Sequence, residues 1–231
     1  MSPEITIRSF ADRARLTAAL AERVAAAVTA PGPESRALML SGGSTPLPAY
    51  RAVAERGGLK VAARLTVLYS DDRYVPSSSE ASNYHQTRVL LDRLDLPEQQ
   101  VLRVRTELAL EEAAADYERR IAGLLSSGAR IGLGLLGLGA DGHTASLFSM
   151  ADLERARGCL ALAVHRPDGR DAVSVTPQLL EKIGEPLFVV AGSDKRAALG
   201  AFLDRTAESV AYRAVSGCAS VAVWADREAS P

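Results

Sequence analysis

Cysteine, lysine and aromatic residues are scarce in this 231-residue chain: two cysteines, three lysines, one tryptophan and 5% aromatics in all. Each shortage excludes something. Cys159 and Cys218 are too few for a disulfide framework and lack the paired spacing of a zinc clip. A reduced, buried pair is expected, and with it a cytoplasmic protein. No apolar run nears the ~18 residues that span a bilayer, so no membrane partner is expected. Residues 1–8 lack the basic start and apolar stretch of a secretion signal. Neither sign of charge is in excess. The formal net charge of −1 argues against the basic face of a nucleic-acid binder. A G-x-x-x-x-G-K-[ST] phosphate loop is missing, as is a G-x-S-x-G serine elbow. Of the three histidines, His85 sits in a polar helical stretch and His165 precedes Arg166-Pro167, and neither has metal-ligand spacing to a partner. With only three lysines against 24 arginines, each lysine, Lys195 included, is worth weighing.

What is present reads as one α/β domain over residues 1–231, with 47% hydrophobic residues to fill its core. Short alternating or apolar runs predict strands at 4–8, 36–40, 64–70, 101–104, 131–138, 159–165, 186–191 and 220–224. Amphipathic runs predict helices at 10–30, 46–56, 82–94, 110–125 and 193–203. Ser9 is the expected cap of the first helix, with Asp12 at its third position, and Pro31-Gly32-Pro33 the expected stop. A polar loop is expected at 71–81. Strands alternating with helices predict a doubly wound, Rossmann-like fold, a mainly parallel sheet with helices on both faces. Ligands of such sheets bind beyond the carboxyl ends of the strands, and the unusual residues of this chain fall there.

Four segments carry chemistry. After the strand at 131–138 come Gly139-Ala140-Asp141-Gly142-His143-Thr144-Ala145-Ser146. Glycines clear side chains from one spot and leave an acid, an imidazole and two hydroxyls there. Strand, glycine turn and a following helix start suggest a nest of backbone N–H groups for an anion. An imidazole, whose ordinary pKa is about 6.5, suits general-base work near neutrality. The same glycines fit G-x-G-x-x-G. Yet no acid ends a strand ~20 residues later, as a dinucleotide site needs, and the motif lies mid-chain. After 36–40 comes Ser41-Gly42-Gly43-Ser44-Thr45-Pro46, where N–H groups and hydroxyls at a helix start suit a phosphate, although an ordinary turn has the same composition. After 64–70, Ser70-Asp71-Asp72-Arg73-Tyr74-Val75-Pro76 offers Arg73 as an anion clamp and Asp72 to orient it or a water; a solvated charged loop is the alternative. Ser82 would cap the next helix. In Gly192-Ser193-Asp194-Lys195-Arg196, Lys195 can give a point charge to a phosphate, unless Ser193 merely caps a helix.

Together these segments resemble the 6-phosphogluconolactonase family: SGGSTP at 41–46, SDDRYVP at 70–76, SNY at 82–84, GLGADGHTASLF at 137–148 and GSDK at 192–195, in the family's order. The resemblance implies hydrolysis of 6-phospho-D-glucono-1,5-lactone to 6-phospho-D-gluconate in the oxidative pentose phosphate pathway, with no metal and no organic cofactor. It implies His143 as the general base that activates water and Asp141 as the group that orients it. Arg73 and Lys195, with Asp72 and the loop of Gly42, Gly43, Ser44 and Thr45 alongside, would hold the sugar-phosphate lactone, the only partner implied; monomer and weak dimer stay open. The chain departs from the family at Ala172, where members often carry an arginine ahead of a Ser/Thr-x-Thr segment. Arg170 stands two residues earlier. Asp72 stands where the family often has Glu.

Two other readings compete. Aminosugar-phosphate deaminases share a DGH loop but continue it as DGHIAFNEP, with an acid just after; here the residues are Thr144-Ala145-Ser146-Leu147-Phe148. They also carry Asp-Glu-Tyr where this chain has Asp71-Asp72-Arg73. A non-catalytic sugar-phosphate sensor would need a DNA-binding module, and one strand and one helix ahead of residue 36 leave little room for it.

Overall fold

The computed structural model describes residues 2–30 and 34–231, so the expected helix stop at Pro31-Gly32-Pro33 lies outside the described residues. In chain order the elements are β1 (Glu4–Phe10), α1 (Arg13–Thr29), β2 (Arg36–Leu40), α2 (Leu47–Ala54), β3 (Leu65–Tyr69), β4 (Asp71–Arg73), α3 (Asn83–Leu94), β5 (Val101–Leu102), α4 (Leu110–Ser126), β6 (Arg130–Leu136), α5 (Met150–Arg155), β7 (Ala161–His165), β8 (Asp171–Val175), α6 (Pro177–Leu180), β9 (Ile183–Val190), α7 (Arg196–Leu203), α8 (Val210–Val215) and β10 (Ser220–Asp226).

Seven strands form one parallel sheet in the order β1-β10-β9-β6-β2-β3-β5. Both of its faces are covered, which is why its strands read as apolar runs rather than as a polar alternation. Along β2, Leu38 and Leu40 pack with α1, α2 and α3, while Ala37 and Met39 pack with α4, α7 and α8. β6 and β9 alternate in the same way: Leu135 and Leu187 on the first face, Leu136 and Phe188 on the second. The doubly wound fold expected from the sequence is therefore present.

The chain winds outward from β2 through β3 to β5, then crosses back to lay β6 on the other side of β2. Loops leaving β2 and β6 diverge at that reversal and open a crevice between them. β9, β6, β2 and β3 are neighbours at the centre of the sheet, and the four segments singled out in the sequence follow these four strands.

Local expectations failed in instructive places. β1 runs to Phe10, because its ladder with β10 continues to the pair Phe10–Asp226 and holds Ser9 extended. Asp12, not Ser9, caps α1, its carboxylate accepting from the Arg15 N–H at 2.7 Å. The polar loop expected at 71–81 begins with a strand, β4. It belongs to a second, three-stranded antiparallel sheet, β4-β8-β7, against the crevice. The strand read at 159–165 is β7 of this small sheet and not part of the parallel one. Ser193 does not cap α7: residues 193–195 form a 3-10 turn, and no side chain caps the helix that follows. Ser82 does cap α3, accepting from the His85 N–H.

Candidate active site at the switch point

The crevice is a cavity of about 250 Å³. Its floor is apolar, from the last turns of β6 and β9: Leu135, Leu136, Val189, Val190 and Ala191. Around that floor stand Gly42, Gly43, Ser44 and Thr45 from the loop after β2, Asp71 and Arg73 from β4, His143 from the loop after β6, and Lys195 after β9. The expected residues thus meet in one place, with two exceptions. Asp141 backs onto His143 rather than lining the cavity, and Asp72 lies beneath it.

His143 Nδ1 is 2.5 Å from Asp141 Oδ1, and the same oxygen accepts from the His143 N–H at 3.3 Å. Partial burial raises the Asp141 carboxyl, but the hydrogen bond and charge of His143 pull it down further, so it ends below its ordinary value. An ionised carboxylate only accepts hydrogen bonds. The hydrogen is therefore on Nδ1, and Nε2 is the nitrogen left basic. The imidazole rests against Phe148, with ring centroids 4.3 Å apart, and its side chain is 26% exposed, half-shielded but reachable. Gly139 makes this arrangement possible. A Cβ there would lie 2.1 Å from His143 Nδ1 and 2.3 Å from Asp141 Oδ1, where no atom fits.

Part of the nest expected in this loop is taken up by the loop itself. The Gly139 N–H donates to the His143 carbonyl, Gly142 to Gly139, Leu147 to Thr144, and Ser146 to Ser174 Oγ. Nor does the helix start line the cavity. α5 begins only at Met150, behind a complete capping box of Ser149 and Asp152. These bonds make the loop a firm mount for the imidazole, and further anion contacts stand elsewhere in the cavity.

They come from β4 and the loop after β2. Arg73 Nη1 donates to Asn83 Oδ1 at 2.6 Å and to the Ala81 carbonyl at 3.0 Å, while its buried Nε has no partner among the described residues. Asp72 fixes this clamp at one remove. Its carboxylate accepts from the N–H groups of Asn83 and Tyr84 and from the Ser82 hydroxyl, so it holds the start of α3, and Asn83 in turn holds Arg73. Burial pushes the Asp72 carboxyl up, those hydrogen bonds lower it, and Asp71 alongside raises it, giving about 6. Asp71 is buried too, accepting from Ser70, Asn83 and Ser146. Gly42 lets the β2 loop lie on this network: a Cβ there would fall 1.9 Å from Asn83 Oδ1. The Gly43 N–H already donates to Gln86, which leaves Gly42, Ser44 and Thr45 to face a ligand. Lys195 Nζ stands 3.4 Å from Asp194 Oδ2.

One lining residue went unread in the sequence. Arg166, in the turn between β7 and β8, reaches the cavity. Arg170, the residue nearest the alanine at 172, does not line it and pairs with Asp168 outside. The only sequence signal was the Arg-Pro-Asp-Gly turn composition, which marks a hairpin and says nothing of where its first side chain points.

The site thus sets an imidazole held by a carboxylate to face cations across an apolar floor, at the switch point of a doubly wound sheet. The chain belongs to the family described as glucosamine-6-phosphate isomerases/6-phosphogluconolactonase, whose sequence model matches residues 11–224. A 6-phosphogluconolactonase of Treponema pallidum is 38% identical over 165 residues, 69% of this chain and 68% of that protein. The human 6-phosphogluconolactonase is 36% identical over 217 residues, 88% of this chain and 83% of that one. The crystal structure of the 6-phosphogluconolactonase from Thermotoga maritima matches with a TM-score of 0.82 at 28% identity, covering 97% of this chain and 100% of the other.

Proposed function

We propose that His143 and Asp141 are the general-base unit of this chain and that Arg73, Lys195 and the loop of Gly42, Ser44 and Thr45 seat the substrate phosphate. The reaction is that of the lactonases the chain is related to: hydrolysis of 6-phospho-D-glucono-1,5-lactone to 6-phospho-D-gluconate in the oxidative pentose phosphate pathway. The observation that carries the residue-level account is the Asp141–His143 pair, which leaves Nε2 basic at the mouth of a cavity lined by cations.

Nε2 takes a proton from a water as its oxygen attacks C1 of the lactone. The carbonyl oxygen becomes an oxyanion, stabilised by positive groups and open N–H donors of the cavity. The tetrahedral intermediate collapses by breaking the bond from C1 to the ring oxygen, and the imidazolium returns its proton to that oxygen. Asp141 keeps the imidazole in one tautomer and offsets the imidazolium charge. Phosphate contacts at the far end of the substrate place C1 against the base, so remote binding energy serves the reacting centre. The buried network of Asp71, Asp72 and Asn83 supports this reading, because it fixes Arg73 before any ligand arrives. Two unpaired cysteines support a cytoplasmic setting. Among the described residues no helix is long and apolar enough to cross a membrane.

The test is lactone opening above the spontaneous rate, with 6-phosphogluconolactone generated in situ and unphosphorylated gluconolactone in parallel. Fast opening confined to the phosphorylated lactone is expected. Equal rates on both would remove the phosphate seat from the account.

A further inference from the structure

Arg166 opens the turn between β7 and β8, and the register of the small sheet decides which way it faces. Arg73 of β4 lies opposite Ala172 of β8, and Ala172 lies opposite Val164 of β7. Directly paired residues share a face, so this row shares the face of Arg73. Arg166 is two residues beyond Val164, and its N–H donates to the Arg170 carbonyl, carrying the ladder one step further. Alternation therefore returns Arg166 to the face of Arg73.

Its side chain follows that direction. It is 12% exposed, and it lines the cavity with His143, Arg73 and Lys195. Nη1 donates to Ser146 Oγ at 3.1 Å, and Ser146 donates to Asp71, so Arg166 joins the network that holds the Arg73 clamp. Its guanidinium carbon stands 4.9 Å from the centre of the Phe148 ring, the ring that carries His143. Asp168 accepts from Arg166 Nε at 3.3 and 3.4 Å and from Nη2 at 3.3 Å, and it also stands 3.3 Å from Arg170 Nε. One carboxylate thus faces two guanidinium groups, which leaves a net positive charge on the turn, and Arg170, 57% exposed, is the one turned to solvent.

We propose that Arg166 is a substrate-binding residue, the third cation of the phosphate seat beside Arg73 and Lys195, supplied from the β7–β8 turn. A guanidinium presents a planar fork of donors to a phosphate dianion, which an ammonium does not. The Phe148 contact sets the spacing between that seat and the base. This inference rests on the lactonase reading of the cavity.

Arg166→Gln tests it: glutamine stays polar and loses the charge and the guanidinium fork, and with them the pair with Asp168. Arg166→Ala is the second variant. KM and kcat are measured on phosphorylated and unphosphorylated gluconolactone, with the Tm of each variant, and Kd for 6-phosphogluconate and for gluconate by calorimetry. We expect Arg166→Gln to raise KM for the phosphorylated lactone roughly 10- to 100-fold, the size of one charged hydrogen bond removed. The rate on the unphosphorylated lactone should fall far less, and the Tm shows that each variant is folded. Equal losses on both substrates, or an unchanged KM in Arg166→Gln, overturn the proposal. The calorimetry separates this inference from the activity. If the chain opened no lactone at all, Kd for 6-phosphogluconate would still rise about tenfold or more in Arg166→Gln with gluconate unmoved, and an unmoved Kd would end the proposal.

Discussion

The two sheets contribute to the site in opposite ways. The parallel sheet gives it a floor and a base: apolar strand ends, then a self-bonded loop that lifts His143 into a half-open position with Asp141 behind it, 58% exposed. The three-stranded sheet gives it a wall of guanidinium groups, and there the supporting carboxylates are buried: Asp71 and Asp72 are 5% and 1% exposed. A base must exchange protons with water and substrate, so its surroundings stay open. A phosphate clamp gains from being rigid before the ligand arrives, so the carboxylates that support it are closed in and bonded. Openness and burial of the supporting carboxylates are assigned to different sheets.

The largest expected effect breaks the comparison from the parallel side. Replacing His143 by Ala should cut kcat by about 10³-fold, within the usual range for a positioned base, and move KM little. Near-full activity in that variant ends the general-base assignment. Next comes Gly139→Ala, which leaves every reacting group in place and puts a methyl where the imidazole and carboxylate meet. Displacing the pair by an ångström should cost roughly 10²-fold in kcat, with KM again nearly constant. A fully active Gly139→Ala would show that the loop is softer than its hydrogen bonds suggest. On the other side, Arg73→Ala should raise KM for the phosphorylated lactone about 10- to 100-fold and leave kcat within a few-fold, because it removes one charged hydrogen bond to the phosphate from the bound state. A kcat effect as large as that of His143→Ala would erase the division between the sheets.

The same division separates what the sequence made legible. Strands of the parallel sheet are buried on both faces, so 36–40 and 131–138 stand out as apolar runs, and the glycine and hydroxyl residues after them read as a ligand rim. β4 did not stand out. Asp71-Asp72-Arg73 is three charged residues, and what makes it a strand is pairing with β8 about a hundred residues later, which no local pattern contains. Asp72 was read as a group facing substrate for the same reason. Only the tertiary structure shows that its oxygens accept from the start of α3. Arg166 was invisible because its direction depends on that same register. Where the sequence placed an anion nest, after β6, the expected residues are there but several of their donors are engaged, Gly139 with His143, Gly142 with Gly139, Leu147 with Thr144 and Ser146 with Ser174. Composition marks a glycine loop; only geometry tells whether its N–H groups point inward or out.

The smallest expected effect sharpens the comparison by asking what a closed, bonded wall costs in stability. Asp72 is buried, and its carboxyl stands at about 6 against an ordinary 3.8. Burial is the main cause; the Asn83 and Tyr84 N–H groups oppose it and the charge of Asp71 adds to it. A carboxyl raised in the folded state holds its proton more tightly there than in the unfolded chain. Its stabilising contribution is therefore complete below about pH 3.8 and is lost as pH rises through about 6. Two pKa steps at about 1.4 kcal/mol each put the loss at roughly 3 kcal/mol by pH 7.5. Asp72→Asn cannot ionise and keeps one side-chain oxygen for the Asn83 N–H. The Tm of wild type relative to Asp72→Asn should therefore fall by several degrees between pH 5 and pH 7.5 and level off above that, while lactone opening stays within a few-fold at every pH. A Tm difference that does not change with pH would mean that the hydrogen bonds from α3 fully offset burial, and the clamp would then be rigid at no cost in stability.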